Sequence, residues 1–140
     1  SGLIVPMGSW ILEEACQHMR AWNLQFRDVR DLMVSVNLST KQFNQKNLTE
    51  EVASILDKTG LDSQCLKLEL TESAAMEDVN GTIEQLVKLK SLNLKLSLDD
   101  FGTGYSSLSY LHQLPTDTLK VDQAFVCRLE DKASDDGEIV

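Results

Sequence analysis

Leu94-Lys95-Leu96-Ser97-Leu98-Asp99-Asp100-Phe101-Gly102-Thr103-Gly104 alternates apolar and polar residues, then ends in two acids and a glycine-bounded turn. Period-two alternation is the signature of a β-strand with one buried face. Residues 94–98 therefore read as a strand, with Leu94, Leu96 and Leu98 on one side and Lys95, Ser97 and Asp99 on the other. Three further segments repeat the pattern. In 32–38, Val34 and Val36 oppose Ser35 and Asn37; in 66–71, Leu66, Leu68 and Leu70 oppose Lys67, Glu69 and Thr71. In 118–121, Leu119 and Val121 oppose Lys120, with Asp122 just beyond.

Helical patterns fall between these strands. Ser9 is placed to cap a helix over 9–26, with Ile11, Leu12, Ala15, Met19 and Trp22 at helical spacing. A second helix covers 47–59, with Thr49 and Glu51 near its start and Gly60 at its end. A third covers 79–92, with Ile83, Leu86, Val87 and Leu89 apolar. A short helix over 106–111 follows the glycine turn, Pro115 interrupts the chain, and 123–129 turns helical again. The acidic tail 131–138 reads as a mobile loop.

Alternating strands and helices specify an α/β fold with a parallel sheet. A parallel sheet covered on both faces reads as continuous apolar runs, and these strands do not. One polar face leaves two architectures, an open sheet with a solvated side or a barrel with a polar mouth. A helix after each strand favours the barrel, which places its chemistry at the C-terminal ends of the strands. The polar faces here end in Asn37, Glu69, Asp99 and Lys120.

Composition narrows the chemistry. With 42% hydrophobic and 25% charged residues, the chain is globular rather than disordered. A net charge of −9 opposes DNA or RNA binding. No apolar run is long enough to insert in a membrane, and the start does not resemble a signal peptide. Cys16, Cys65 and Cys127 are too scattered for zinc and read as reduced thiols of a cytoplasmic protein. His18 and His112 belong to no metal-binding signature.

Oxygen donors at adjacent strand ends suit a hard cation such as Mg2+ or Mn2+, which serves phosphate chemistry. Asp99 and Asp100 are neighbours whose side chains diverge in a strand, so the pair could serve two nearby ions. Lys120 is aimed to stabilise negative charge or orient a water. The turn after the acids lacks the third glycine of a dinucleotide fingerprint, no HRD segment accompanies the Asp-Phe-Gly, and no Gly-Lys-Ser/Thr is present.

The stretch from Leu98 through Gly102 and Ser107 to Leu108 resembles the metal-binding loop of EAL domains, the bacterial cyclic di-GMP phosphodiesterases. Gly2-Leu3-Ile4-Val5-Pro6, Val36-Asn37-Leu38-Ser39, Glu69-Leu70-Thr71-Glu72-Ser73 and Leu119-Lys120-Val121-Asp122 match family segments in the same order. The resemblance implies a TIM-like (β/α)8 barrel, of which these four strands are about half, with residues 1–140 forming a partial EAL domain. It implies hydrolysis of cyclic di-GMP to linear pGpG with two Mg2+ or Mn2+ ions and inhibition by Ca2+. By the same resemblance Asn37, Glu69 and Asp99 are metal ligands, with Asp100 on the second ion and Lys120 on the catalytic water. Glu72 supports the Asp-Asp loop, and Asp122 is an additional acidic residue near the site. The family's Glu-Ala-Leu segment is expected before Ser1 and a later catalytic glutamate after Val140, so these 140 residues alone are expected to turn over poorly. Fusion to sensory or GGDEF domains, and homodimerisation through residues 106–112, are further implications. The alternative is a catalytically inactive EAL domain that serves as a cyclic di-GMP receptor or protein-interaction module.

Overall fold

A computed structural model describes residues 2–26, 32–102, 108–124 and 126–127. The second half of the acid loop (103–107), the end of the expected 123–129 helix and the tail 131–138 lie outside them.

The first helix, α1, spans Ile4–Gln25 and begins earlier than the sequence pattern suggested. Pro6 falls in its first turn, where a backbone N–H has no intrahelical acceptor, so proline costs no hydrogen bond there. Ser9 is therefore not a cap; it lies inside the helix and its Oγ donates to Val5 O at 3.1 Å. The buried stripe is Leu12, Cys16 and Met19, whereas Ile11 and Trp22, expected inward, are exposed.

Strand β1 is Val34–Asn37, shorter than expected at both ends. A four-residue helix, α2 (Thr40–Phe43), follows and was not foreseen. Helix α3 (Leu48–Thr59) closes as anticipated on Gly60, which takes the left-handed φ of 67° that glycine adopts without penalty. A 3-10 turn at Ser63–Cys65 leads into β2, Leu66–Thr71. Helix α4 (Glu72–Met76), also unforeseen, starts directly at the end of β2, with Thr71 Oγ1 accepting from Ala74 N. Helix α5 is Val79–Lys90, stopping before the expected Leu92, where a turn with Asn93 at φ 64° takes over. Strand β3 runs Lys95–Phe101, through both acids rather than ending at Leu98. Helix α6 is Leu108–Leu111 and β4 is Thr118–Val121.

The sheet order is β1-β2-β3-β4 and every pairing is parallel. Each strand lies beside its sequence neighbour, so the winding does not reverse as it would in a doubly wound sheet. This is the arrangement of a barrel wall. The apolar faces of β1 to β3 meet the helices: Leu66, Leu68, Leu70, Leu96 and Leu98 form one core with Val52, Leu86 and Leu89. Burying each such leucine contributes about 1.5–3 kcal/mol. Leu119 and Val121 carry the same phase onto β4 but remain exposed among the described residues. No described helix is long and apolar enough to cross a membrane.

Candidate active site

The register fixes which polar residues are neighbours. Asn37 pairs with Glu69, Glu69 with Ser97, and Ser97 with Thr118, making one row across the sheet. One step nearer the strand ends, Thr71 pairs with Asp99. Between β3 and β4 the pairing slips: Leu98 faces Leu119 and Phe101 faces Val121, so three steps on β3 match two on β4. That extra residue is a β-bulge. Without it, Asp100 would take the core-facing phase of Leu98 and Phe101 would point into the polar mouth. With it, Phe101 is buried with the core and Asp100 is exposed. The backbone absorbs the change at Asp100, which sits at φ 57°, and at Gly102, at φ 97°. A left-handed conformation costs an L-residue roughly 1–2 kcal/mol, least for Asp and Asn.

Lys120 emerges opposite the bulge. Its Nζ donates to Glu69 Oε2 at 2.5 Å and lies 3.7 Å from Asp99 Oδ2. Glu69 is nearly buried while Lys120 is partly open to solvent. The hydrogen bond that Lys120 donates to Glu69, and then the charges of Glu69 and Asp99, hold the Lys120 ammonium above its ordinary pKa despite its partial desolvation. Asp99 is fixed a second time, its Oδ1 accepting from Asp100 N at 2.9 Å.

Glu72, the first residue of α4, lies behind the acid loop with 1% exposure. Its Oε2 accepts from Gly102 N at 2.7 Å, while Oε1 has no hydrogen-bond partner among the described residues. Asp122 is used locally: its Oδ1 accepts from Ala124 N at 2.8 Å, and its own N–H donates to Phe101 O at 3.0 Å. Asn37 ends β1 with its side chain exposed. His18, paired with Glu14 on the surface of α1, and His112 lie outside this group. Burial pushes the Cys16 thiol up to about 11, which suits an inert core residue.

Two residues of the site were not singled out by sequence reasoning. Ser97 lies between Glu69 and Thr118 in register, 2% exposed, with a hydroxyl lacking a partner among the described residues. Its place on the polar face was the available signal. Gln42 is buried beside the turn that follows Asn37. Its signal was the Ser-x-x-Gln spacing of a capping box.

Carboxylate oxygens from Glu69 and Asp99 with the Asn37 amide oxygen are the hard donors that Mg2+ or Mn2+ prefers. They fit such an ion in kind. Among the described residues, however, no three His, Cys, Asp or Glu side chains converge into a ready cluster, and the Lys120 ammonium links the two acids instead.

Such a sheet, with a carboxylate–lysine group at the C-terminal ends of its strands, defines a domain of the β/α-barrel type. Comparison with known families makes this specific: residues 1–140 match the EAL domain, and the chain belongs to that family. It is 43% identical over 140 residues to the bifunctional diguanylate cyclase/cyclic di-GMP phosphodiesterase MucR of Pseudomonas aeruginosa, covering 100% of this chain and 20% of MucR. It is 41% identical over 126 residues to the cyclic di-GMP phosphodiesterase NbdA of the same species, covering 90% of this chain and 16% of NbdA. The solved structure of PaMucR phosphodiesterase in complex with c-di-GMP superposes with a TM-score of 0.81 at 43% identity, over 89% of this chain and 53% of that one.

Proposed function

We propose that this chain carries part of the catalytic face of a metal-dependent phosphodiesterase that hydrolyses cyclic di-GMP to linear pGpG. The observation that carries the reading is the contact group of Lys120 with Glu69 and Asp99 at neighbouring strand ends in an EAL domain. Names among its relatives support the substrate, since MucR and NbdA are both called cyclic di-GMP phosphodiesterases.

In this reading Asn37, Glu69 and Asp99 hold one Mg2+ or Mn2+ ion and Asp100 a second. When bound, such ions supply an activated water and charge stabilisation for the leaving oxygen. Lys120 keeps its proton and points its ammonium at the acids, so it can orient a water by donating to it and can offset charge that develops on phosphate oxygens. Glu72 holds the Gly102 backbone and with it the turn that carries Asp99 and Asp100. Asp122 supports the strand end from the side. Ca2+, which tolerates looser coordination, is expected to inhibit. Homodimerisation near residues 106–112, fusion to sensory or GGDEF domains and a cytoplasmic site of action belong to the same proposal.

The test is product analysis on the whole protein with cyclic di-GMP and Mg2+ or Mn2+, beside an Asp99→Ala control. Metal-dependent release of pGpG that the control lacks is the expected outcome. Tight nucleotide binding with no linear product would assign the domain to the receptor class instead.

A further inference from the structure

Asn37 ends β1, an edge strand among the described residues, and its side chain is exposed. Its location is therefore set by backbone on either side. Before it stands the ladder with β2, which pairs Asn37 with Glu69 and continues as Leu38 N donating to Glu69 O at 2.8 Å. After it the chain turns at Ser39 into α2. That turn is held by one side chain. Gln42 Oε1 accepts from Ser39 N at 3.2 Å and from Ser39 Oγ at 2.8 Å, while Gln42 N donates back to Ser39 Oγ at 3.3 Å. Gln42 is 6% exposed, an unusual depth for a residue whose polar bonds are all to its own turn.

What buries it is α1. Gly8 lies against the Gln42 amide so closely that a Cβ on Gly8 would overlap Gln42 Nε2, Cδ and Oε1. The first helix thus reaches the mouth of the sheet at a residue without a side chain and presses on the amide that closes the Asn37 turn. We propose that Gln42, clamped by Gly8, is a positioning residue that sets where the Asn37 side chain stands at the mouth. This rests on the reading of Asn37 as a cation ligand only for its functional consequence; the geometric claim stands apart from it.

The experiment uses the whole purified protein with asparagine-selective isotope labelling, and reads two quantities: the Asn37 side-chain amide resonances and Mn2+ affinity by electron paramagnetic resonance. Gln42→Leu is expected to shift or broaden the Asn37 resonances and to weaken Mn2+ binding about tenfold, the lower end of what removal of an outer support costs a metal site. Gln42→Glu keeps an oxygen for both Ser39 bonds and is expected to restore both readouts, whereas a merely space-filling role would predict that Leu, of similar volume, is tolerated as well as Glu. Gly8→Ala should reproduce the Gln42→Leu effect through the clash. Gly8→Ala with Gln42→Ala should be no worse than Gln42→Ala, because the clash is gone. Unmoved Asn37 resonances in folded Gln42→Leu, or equal loss in the Glu and Leu variants, would overturn the proposal. If Gln42→Leu fails to fold, the Gly8→Ala comparison decides in the same way. If the unmodified protein binds no Mn2+, the phosphodiesterase reading fails, and the Asn37 resonances still decide this one.

Discussion

Removing the Lys120 ammonium should leave Glu69 in a position it cannot hold as a bare carboxylate. The side chain of Glu69 is 5% exposed and that of Lys120 is 42% exposed, so the pair is buried at one end and wet at the other. Fully exposed pairs contribute about 0.2–1 kcal/mol, whereas breaking a fully buried one costs about 3–5 kcal/mol. Discounted for the open lysine, Lys120→Met is expected to destabilise by about 1–3 kcal/mol, between those limits. The coupling should appear in a double-mutant cycle of Lys120→Met, Glu69→Gln and both, measured by urea denaturation in EDTA. Glu69→Gln should cancel most of the Lys120→Met cost, because the charge left stranded is then absent. Lys120 also occupies Glu69 Oε2, which a divalent cation would have to share. Mn2+ is therefore expected to stabilise Lys120→Met more than the parent protein, by up to about 2.7 kcal/mol at a hundred times its dissociation constant. A coupling below about 0.5 kcal/mol, within the error of additivity, together with an unchanged Mn2+ effect, would refute the view that lysine and cation compete for one carboxylate.

Three other outcomes follow from the same structure. Asp117 accepts from Leu96 N at 2.8 Å and from Lys90 Nζ at 2.9 Å, with Lys95 nearby. Burial alone would raise its pKa, but the Leu96 and Lys90 hydrogen bonds and the two lysine charges outweigh that and hold it below the ordinary value. Its contribution is thus complete above the unfolded-state pKa and lost as pH falls through the lower folded one; Asp117→Asn should flatten the acid limb of a Tm-versus-pH curve below about pH 4. Glu72→Ala should release the Gly102 N–H and, in calorimetry, cost about 1–3 kcal/mol, with faster amide exchange at Gly102 as the local signature. Leu68→Ala, at a residue 1% exposed in the centre of β2, should destabilise by about 2–5 kcal/mol in chemical denaturation.

Much of this architecture was legible because each strand alternates cleanly. Leu66, Leu68 and Leu70 against Lys67, Glu69 and Thr71 fixed both the boundaries of β2 and its polar face, and the register then brought Asn37, Glu69 and Ser97 into one row. The misreadings have local causes. Helices α2 and α4 are four and five residues long, too short to show a 3.6-residue period. They are fixed by capping at Ser39 and Thr71, which single residues signal only weakly. The start of α1 was misplaced because Ser9 is a good cap in isolation, while Pro6 inside a first turn leaves no trace in apolar spacing. The end of β3 was placed at Leu98 because two consecutive acids break the alternation, and the bulge that accommodates them depends on β4, far along the chain.

That bulge makes the acid pair a matter of parity. Between Leu98 and Phe101 the chain must contain two residues, an even number, for two core side chains to land on the same side of a strand that otherwise demands an odd one. A point substitution at Asp99 or Asp100 alters a functional group and leaves the count intact. Deleting either residue would remove the irregularity, let β3 and β4 pair in step, and leave Phe101 in phase with the core beside a single acid. A deletion here could therefore yield a better-paired sheet and a poorer site, so that folding yield and cation affinity would move in opposite directions.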